Sequence, residues 1–184
     1  MLTAQNFYFL RHGETQWNKD KIVQGQMDSQ LNEKGKEQAR RAAQILGGEP
    51  IKRIIASPLS RTKDTAQIVA DHLKLPIEFD DGLMEVNLGD HEGKPYGDWI
   101  PGYWAGEYAP PNGETFQQFH ARVWAALQRA INLGPDTLIV SHGGLWLAAQ
   151  EYITMKPELR LTKNALPLKV SQTDESWTHV ELKD

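Results

Sequence analysis

Two histidine–glycine pairs and two arginines stand directly after short apolar runs. Phe7-Tyr8-Phe9-Leu10 leads into Arg11-His12-Gly13-Glu14-Thr15, and Arg53-Ile54-Ile55-Ala56 leads into Ser57-Pro58-Leu59-Ser60-Arg61. Thr137-Leu138-Ile139-Val140 leads into Ser141-His142-Gly143-Gly144. If the three runs are strands of one sheet, their ends deliver two imidazoles and two guanidiniums to one edge, and none puts a carboxylate first. Such a set suits an anion, and a phosphoryl group in particular. A guanidinium fork matches phosphate oxygens two at a time. Gly13, Gly143 and Gly144 let backbone N–H groups approach an oxyanion. A neutral imidazole is a competent nucleophile near neutral pH, because its unperturbed pKa is about 6.5. Phosphoryl transfer asks mostly for positioning and charge neutralisation, which two arginines and a second histidine could supply without a metal. A single His-Gly pair after a strand is ordinary turn chemistry, and Arg61 alone on a first helical turn is a surface charge. The coincidence of all of them at one sheet edge carries the functional reading.

The elements that must position these groups alternate between strand and helix. Besides the three strands, Asn32 to Leu46 has helical spacing, with Ala39, Ala42, Ala43 and Leu46 on one face and Gly47-Gly48 as its stop. Ser60 to Leu73 is a second amphipathic helix, with Thr65, Ile68, Val69 and His72 near one stripe. Pro76 to Phe79 is a weaker strand. Thr115 caps a helix through Phe116, Phe119, Val123, Ala126, Leu127 and Ala130, and Gly144 to Tyr152 is another. Leu166 to Val170 and Trp177 to Leu182 are predicted strands joined by a polar turn over Ser171 to Ser176. Alternation of this kind predicts an α/β sheet with helices on both faces, and ligands then bind beyond the carboxyl ends of the strands. Residues 89–113 interrupt the rhythm with ten glycines and prolines, and hold Tyr96, Trp99, Tyr103, Trp104 and Tyr108. That density of turn formers precludes a long regular element, so the segment reads as an aromatic lid.

The chain has 184 residues, 20 Lys+Arg against 24 Asp+Glu, a formal net charge of −4 and no cysteine. The length predicts a single domain over residues 1–184 carrying the lid. Absence of cysteine excludes a disulfide scaffold, a cysteine-ligated metal site and a thiol nucleophile. Mild acidity disfavours a nucleic-acid partner. Met1 to Asn6 lacks the basic start and apolar stretch of a signal peptide. No apolar run approaches the ~18 residues of a membrane span. A soluble cytoplasmic protein with no membrane or nucleic-acid partner is expected.

Arg11-His12-Gly13-Glu14-Thr15 resembles the signature of the histidine phosphatase superfamily, also called the phosphoglycerate mutase-like family. Further likeness follows in order: Asn18, Gln24-Gly25, Asp28, Leu31, Gly35 and Gln38-Ala39; Ser57 to Arg61 with Thr65-Ala66; Leu83-Met84-Glu85 with Gly89 and Glu92-Gly93; Asn112-Gly113-Glu114-Thr115; and Ser141 to Gly144. The resemblance implies a three-layer α/β/α sandwich with a mostly parallel central sheet. It implies that His12 forms a phosphohistidine, and that Arg11, Arg61 and His142 hold the phosphoryl oxygens with Asn18 assisting. Gln24, Gly25 and Gly143 are further implied substrate contacts, with no metal and no cofactor. Glu85 would protonate the leaving oxygen and then help activate water, a two-step covalent course that asks it to carry a proton at the start. Read without the resemblance, Glu85 is a solvated loop acid like Asp80, Asp81, Asp90 and Glu92. Three residues depart from the usual pattern: Asn32, Thr62 and His91, and His91 reads as a surface substitution.

The superfamily contains phosphatases and mutases. A mutase must hold a second anionic group, and the insertion from 94 to 113 has one lysine, Lys94, and no arginine. The expected activity is therefore hydrolysis of a small-molecule phosphate monoester. The aromatics of the lid suit a leaving group with a flat or apolar part, such as a nucleoside, a sugar or an aryl group; they could equally just pack the lid down. The alternatives are a phosphoglycerate mutase, a catalytically idle phosphate-ligand binder, and a metal-dependent phosphatase using Asp80, Asp81, Glu85 or Asp90. The intact pair His12 and Glu85 speaks against the idle binder. No pair of histidines has the spacing of a helical zinc site.

Overall fold

In the computed structural model, which describes residues 6–153, 161–172 and 177–183, the chain runs β1 (Phe7–Arg11), α1 (Gln16–Asp20), α2 (Glu33–Leu46), β2 (Arg53–Ala56), α3 (Ser60–Leu73), β3 (Ile77–Phe79), α4 (Ile100–Trp104), α5 (Phe116–Asn132), β4 (Thr137–Ser141), α6 (Gly143–Ile153), β5 (Pro167–Gln172) and β6 (Trp177–Glu181). Short 3-10 turns occupy Asp81–Leu83 and Gly89–His91. The six strands lie in the order β3-β2-β4-β1-β5-β6. β3, β2, β4 and β1 are mutually parallel, while β5 and β6 add antiparallel to one side.

Side-chain alternation along the central strands builds two cores. Phe7 and Phe9 of β1, Ile55 of β2 and Ile139 of β4 face α5 and α6. Tyr8 and Leu10, Ile54 and Ala56, and Leu138 and Val140 face α2 and α3. Because both faces are covered, these strands read as unbroken apolar runs. Phe7, Tyr8, Phe9 and Leu10 are all 0% exposed. At about 1.5–3 kcal/mol per buried apolar side chain, β1 is a rigid base for the residues that follow it. Helices on two faces of a mostly parallel sheet make the α/β/α layering that the alternation predicts.

The long elements lie where the spacing puts them. The stripe of α3 is different: its buried residues are Arg61, Thr62, Thr65, Ala66, Val69 and Ala70, while His72 is exposed and Ile68 only half-buried. Apolarity misleads here because α3 buries its polar first turn under the strand ends. The five-residue α1 is too short for a periodic signal; Thr15 and Asn18 make it with a capping box. Of the predicted turn between β5 and β6, Thr173 to Ser176 lie outside the described residues. Among the described residues no helix is long and apolar enough to cross a membrane.

The loop after β1 is pressed onto α2. A Cβ on Gly13 would overlap the carbonyl oxygen of Gly35, and a Cβ on Gly35 would overlap that of Glu14. Asn32 caps α2 by accepting from the Gly35 amide at 2.8 Å and ties back by donating to Glu14 Oε1 at 3.0 Å. The segment 89–113 is stitched to the segment after α1: Val23 N donates to Lys94 O at 2.8 Å, Gly93 N to Val23 O at 2.8 Å and Tyr96 N to Lys21 O at 3.0 Å. Within it only α4 and the Gly89–His91 turn are regular.

Candidate active site

β1 and β4 are parallel neighbours with Arg11 beside Ser141. His12 and His142 therefore leave the sheet side by side, with ring centroids 5.4 Å apart. The His12 ring is buried, and its Nδ1 lies 2.7 Å from the carbonyl oxygen of Gly13. A carbonyl only accepts, so Nδ1 carries the hydrogen and Nε2 carries the lone pair. Burial holds the His12 pKa well below its usual value, and the neighbouring Arg61 and Arg11 push it further down. The ring is thus a neutral imidazole with a free Nε2 through the neutral pH range. The loop holds it by two further bonds: Gly13 N donates to Thr65 Oγ1 at 3.0 Å, and Asn164 Nδ2 donates to His12 O at 3.0 Å.

His142 is oriented from the other side. Its Nε2 stands 2.7 Å from Ser57 Oγ and 3.2 Å from Thr62 Oγ1. Its Nδ1 is buried and has no protein partner. Burial is again the main cause of a strongly lowered pKa, followed by Arg61, His12 and Arg11.

Both arginines are held by backbone carbonyls. Arg61 is 0% exposed; its two terminal nitrogens donate to Met27 O at 3.1 Å and Gly25 O at 2.6 Å. Arg11 Nη1 donates to Thr162 O at 2.9 Å. Burial lowers the Arg61 pKa to about 10 against the opposing pull of Glu85, Asp28 and Glu92, so the guanidinium stays charged at neutral pH. The Nε atoms of both arginines are buried without a partner. Arg11 Nε, Arg61 Nε and His142 Nδ1 are thus buried nitrogens without a partner, on three residues that neighbour His12. Buried polar groups are almost always satisfied in folded proteins, and an anion with several acceptor oxygens suits the unpartnered guanidinium donors of Arg11 and Arg61, both of which line the cavity. Asn18 Oδ1 accepts from Thr15 N at 3.1 Å, which leaves its Nδ2 for the same cavity. Gln24, Gly25 and Gly143 line that cavity too. Every residue assigned to the site from the sequence is therefore brought to one place.

Glu85 is no solvated loop acid. Its Oε2 accepts from Gly144 N at 3.0 Å, its Oε1 from Val86 N at 3.0 Å, and a Cβ on Gly144 would overlap the carboxylate. Its backbone is held from beneath by residues the sequence reading did not single out. Arg122 of α5 donates to Gly82 O, Met84 O and Glu85 O at 3.0, 2.9 and 3.1 Å. The same guanidinium is fixed by a two-point pair with Glu114 at 2.8 and 2.7 Å. Gln26 Nε2 also reaches Glu85 O, at 3.0 Å. Glu114 stands just before Thr115, the cap of α5, so its spacing from Arg122 leaves no periodic trace of this support in the sequence.

Glu92 has a second hidden role. Its carboxylate accepts from the amides of Gln26, Met27 and Leu88, each at 2.9 Å. The carbonyls of Gly25 and Met27 in that same loop hold Arg61, so Glu92 positions Arg61 through the backbone. In Glu92→Gln the amide nitrogen would face one of those N–H donors. We expect kcat/KM to fall about 10- to 100-fold, since an ångström of misplacement at a reacting centre costs on the order of 10²-fold. Inhibition by orthophosphate should weaken in parallel. Kinetics within a factor of two of wild type would disconnect Glu92 from Arg61.

Away from Arg11, His12 and Arg61 the cavity wall is mostly apolar, with Val86, Leu88, Trp99, Ile100, Trp104 and Leu147 among its residues beside Tyr96 and Tyr103. His91, behind this wall, is not a surface substitution. It is half-buried, stacks on Trp99 with centroids 4.1 Å apart and planes at 12°, and lies 2.7 Å from Tyr108 Oη through Nε2. A flat ring with a polar edge fills that slot, which is why the histidine is accommodated.

The profile of the histidine phosphatase superfamily (branch 1) matches residues 7–184. A protein of Enterobacter sp. (strain 638) named probable phosphoglycerate mutase is 40% identical over 148 residues, covering 74% of this chain and 68% of that one. Among solved structures, alpha-ribazole phosphatase from Shigella flexneri superposes with a TM-score of 0.82 at 27% identity, covering 98% of this chain and 96% of its own. A mycobacterial glucosyl-3-phosphoglycerate phosphatase in complex with VO3 gives 0.82 at 28% identity, with 97% of each chain covered.

Proposed function

Because the chain belongs to the histidine phosphatase superfamily, branch 1, we propose that it hydrolyses a small phosphate monoester through a phosphohistidine on His12. The observation that carries this reading is the free Nε2 of a neutral, buried His12 next to arginines whose buried Nε donors have no partner. In the first step Nε2 attacks phosphorus in line. The N–P bond forms, the bond to the leaving oxygen breaks, and the Glu85 carboxylic acid gives that oxygen its proton. In the second step water attacks phosphorus and the Glu85 carboxylate takes a proton from it. The N–P bond breaks, its electron pair returns to Nε2, and phosphate leaves. Arg11, Arg61, His142 and Asn18 hold the non-bridging oxygens throughout. Fixed donors aimed at developing charge in a water-poor cavity are the largest contribution a protein makes to such a transfer.

A mutase reading shares the first step and differs in returning the phosphoryl group to an organic acceptor. It is favoured by the name of the Enterobacter relative. The apolar wall beyond the phosphoryl position favours hydrolysis. The test follows 3-phosphoglycerate and a generic aryl phosphate together, in chelator, with an alkaline denaturing quench that preserves phosphohistidine. We expect label on His12 and release of orthophosphate faster than any exchange of 2- and 3-phosphoglycerate. Isomerisation matching or exceeding hydrolysis would reverse the assignment, and loss of activity in chelator would replace it with a metal-dependent one.

A further inference from the structure

We infer that the chamber under the lid is a leaving-group subsite for an uncharged alcohol bearing a flat aromatic ring. The inference rests on the phosphatase reading, because it takes the phosphoryl group to lie against His12.

Three observations carry it. The first is where Trp104 stands. A Cβ built on Gly144 would lie 3.2 Å from the Trp104 ring edge and would also run into the Glu85 carboxylate. Glu85 is the group that attends the leaving oxygen, so the first carbons beyond that oxygen meet Trp104. The second is the rigidity of the wall. Trp104 packs edge-on against Phe116 and Phe119 at 6.0 and 6.3 Å, and against Tyr103 at 5.3 Å. Trp99 is pinned between His91 and Tyr108. Rings already fixed in place lose little freedom when a ligand arrives, and stacked or edge-on aromatic contacts reward a ring over an alkyl chain.

The third is the distribution of polar groups. The cationic side chains lining the cavity, among the described residues, are Arg11 and Arg61, and both serve the phosphoryl end. A leaving group with its own carboxylate would face Glu85 with no counter-charge beside it. A sugar would fare little better. Gln24 has its oxygen engaged by Thr15 and Ser29 at 2.9 and 2.6 Å, which leaves its amide nitrogen and the hydroxyls of Tyr96 and Tyr103 as the polar groups on this wall, few against the several hydroxyls of a sugar. Sugar hydroxyls against Val86, Leu88, Ile100 and Leu147 would give up water without replacement. An alcohol that carries an aromatic ring is the leaving group this wall fits.

The test compares monoesters that all leave as alcohols, so that the difference reports the wall and not leaving-group acidity. 2-Naphthylmethyl phosphate and benzyl phosphate are set against glycerol 3-phosphate, glucose 6-phosphate and 3-phosphoglycerate. We expect kcat/KM for 2-naphthylmethyl phosphate to exceed that for glycerol 3-phosphate by at least about 30-fold, within the range one well-filled apolar subsite gives. Trp104→Ala should reduce that ratio to about threefold or less, and Trp104→Phe should restore most of it. If Trp104→Ala does not fold, the wild-type ratios and the Trp104→Phe variant still decide the matter. Phosphohistidine formation from the panel with no aryl preference, or with 3-phosphoglycerate or glucose 6-phosphate preferred, would overturn the subsite and leave the phosphatase reading standing. Failure of every monoester to phosphorylate His12 would remove the phosphatase reading and this inference with it.

Discussion

His12→Ala is expected to lower kcat for monoester hydrolysis by roughly 10⁴-fold or more, the loss typical when a covalent nucleophile is removed. The argument is one of replacement. Among the other cavity side chains the nitrogens belong to guanidiniums or amides, and His142 is tied by Nε2 to Ser57. Direct attack by water would have to occur where the imidazole now stands. The variant should nevertheless still bind orthophosphate or vanadate, because Arg11 and Arg61 retain their unpartnered Nε donors. The combination distinguishes loss of a nucleophile from collapse of the site. Steady-state rates and an anion titration measure it; a residual rate within tenfold of wild type would end the phosphohistidine mechanism.

Arg61→Lys is expected to lower kcat/KM about 10²–10³-fold, the scale for losing one preorganised donor at a developing charge. Charge is nominally conserved, so the loss reports geometry. Arg61 makes two carbonyl bonds with its terminal nitrogens and still keeps Nε for the pocket. A lysine has one nitrogen on a flexible stem and cannot span both carbonyls and a phosphoryl oxygen. The same change should destabilise the fold by about 1–3 kcal/mol, since the carbonyls of Gly25 and Met27 lose buried partners. Urea denaturation and kcat/KM on one preparation test both effects. Retention of activity to within fivefold would mean that Arg61 is a structural strut and not part of the phosphoryl cradle.

The chemistry at the strand ends was legible because it is written in side-chain identity. His12, His142, Arg11 and Arg61 are rare residue types following apolar runs, and a parallel sheet must bring such ends to one edge. The support beneath them was not legible, because it is made of backbone. Arg61 is held by the carbonyls of Gly25 and Met27, Glu92 by three amides, and Arg122 by the carbonyls of Gly82, Met84 and Glu85. Every residue has those groups, so no letter in the sequence marks which of them converge. His91 was misread for a related reason: a polar residue in a glycine-rich stretch looks exposed until Trp99 and Tyr108 are seen around it.

The sequence by itself determined the alternating architecture and the sheet edge to which the two histidines and two arginines are delivered, since periodicity and residue type are local properties. The tertiary structure alone decided which nitrogen of His12 is free, that Arg61 is fully buried with one donor to spare, that Glu85 is clamped from two sides, and that the lid aromatics form a wall beside it. Each of these depends on contacts between residues tens of positions apart, and on backbone groups whose direction only the folded chain defines.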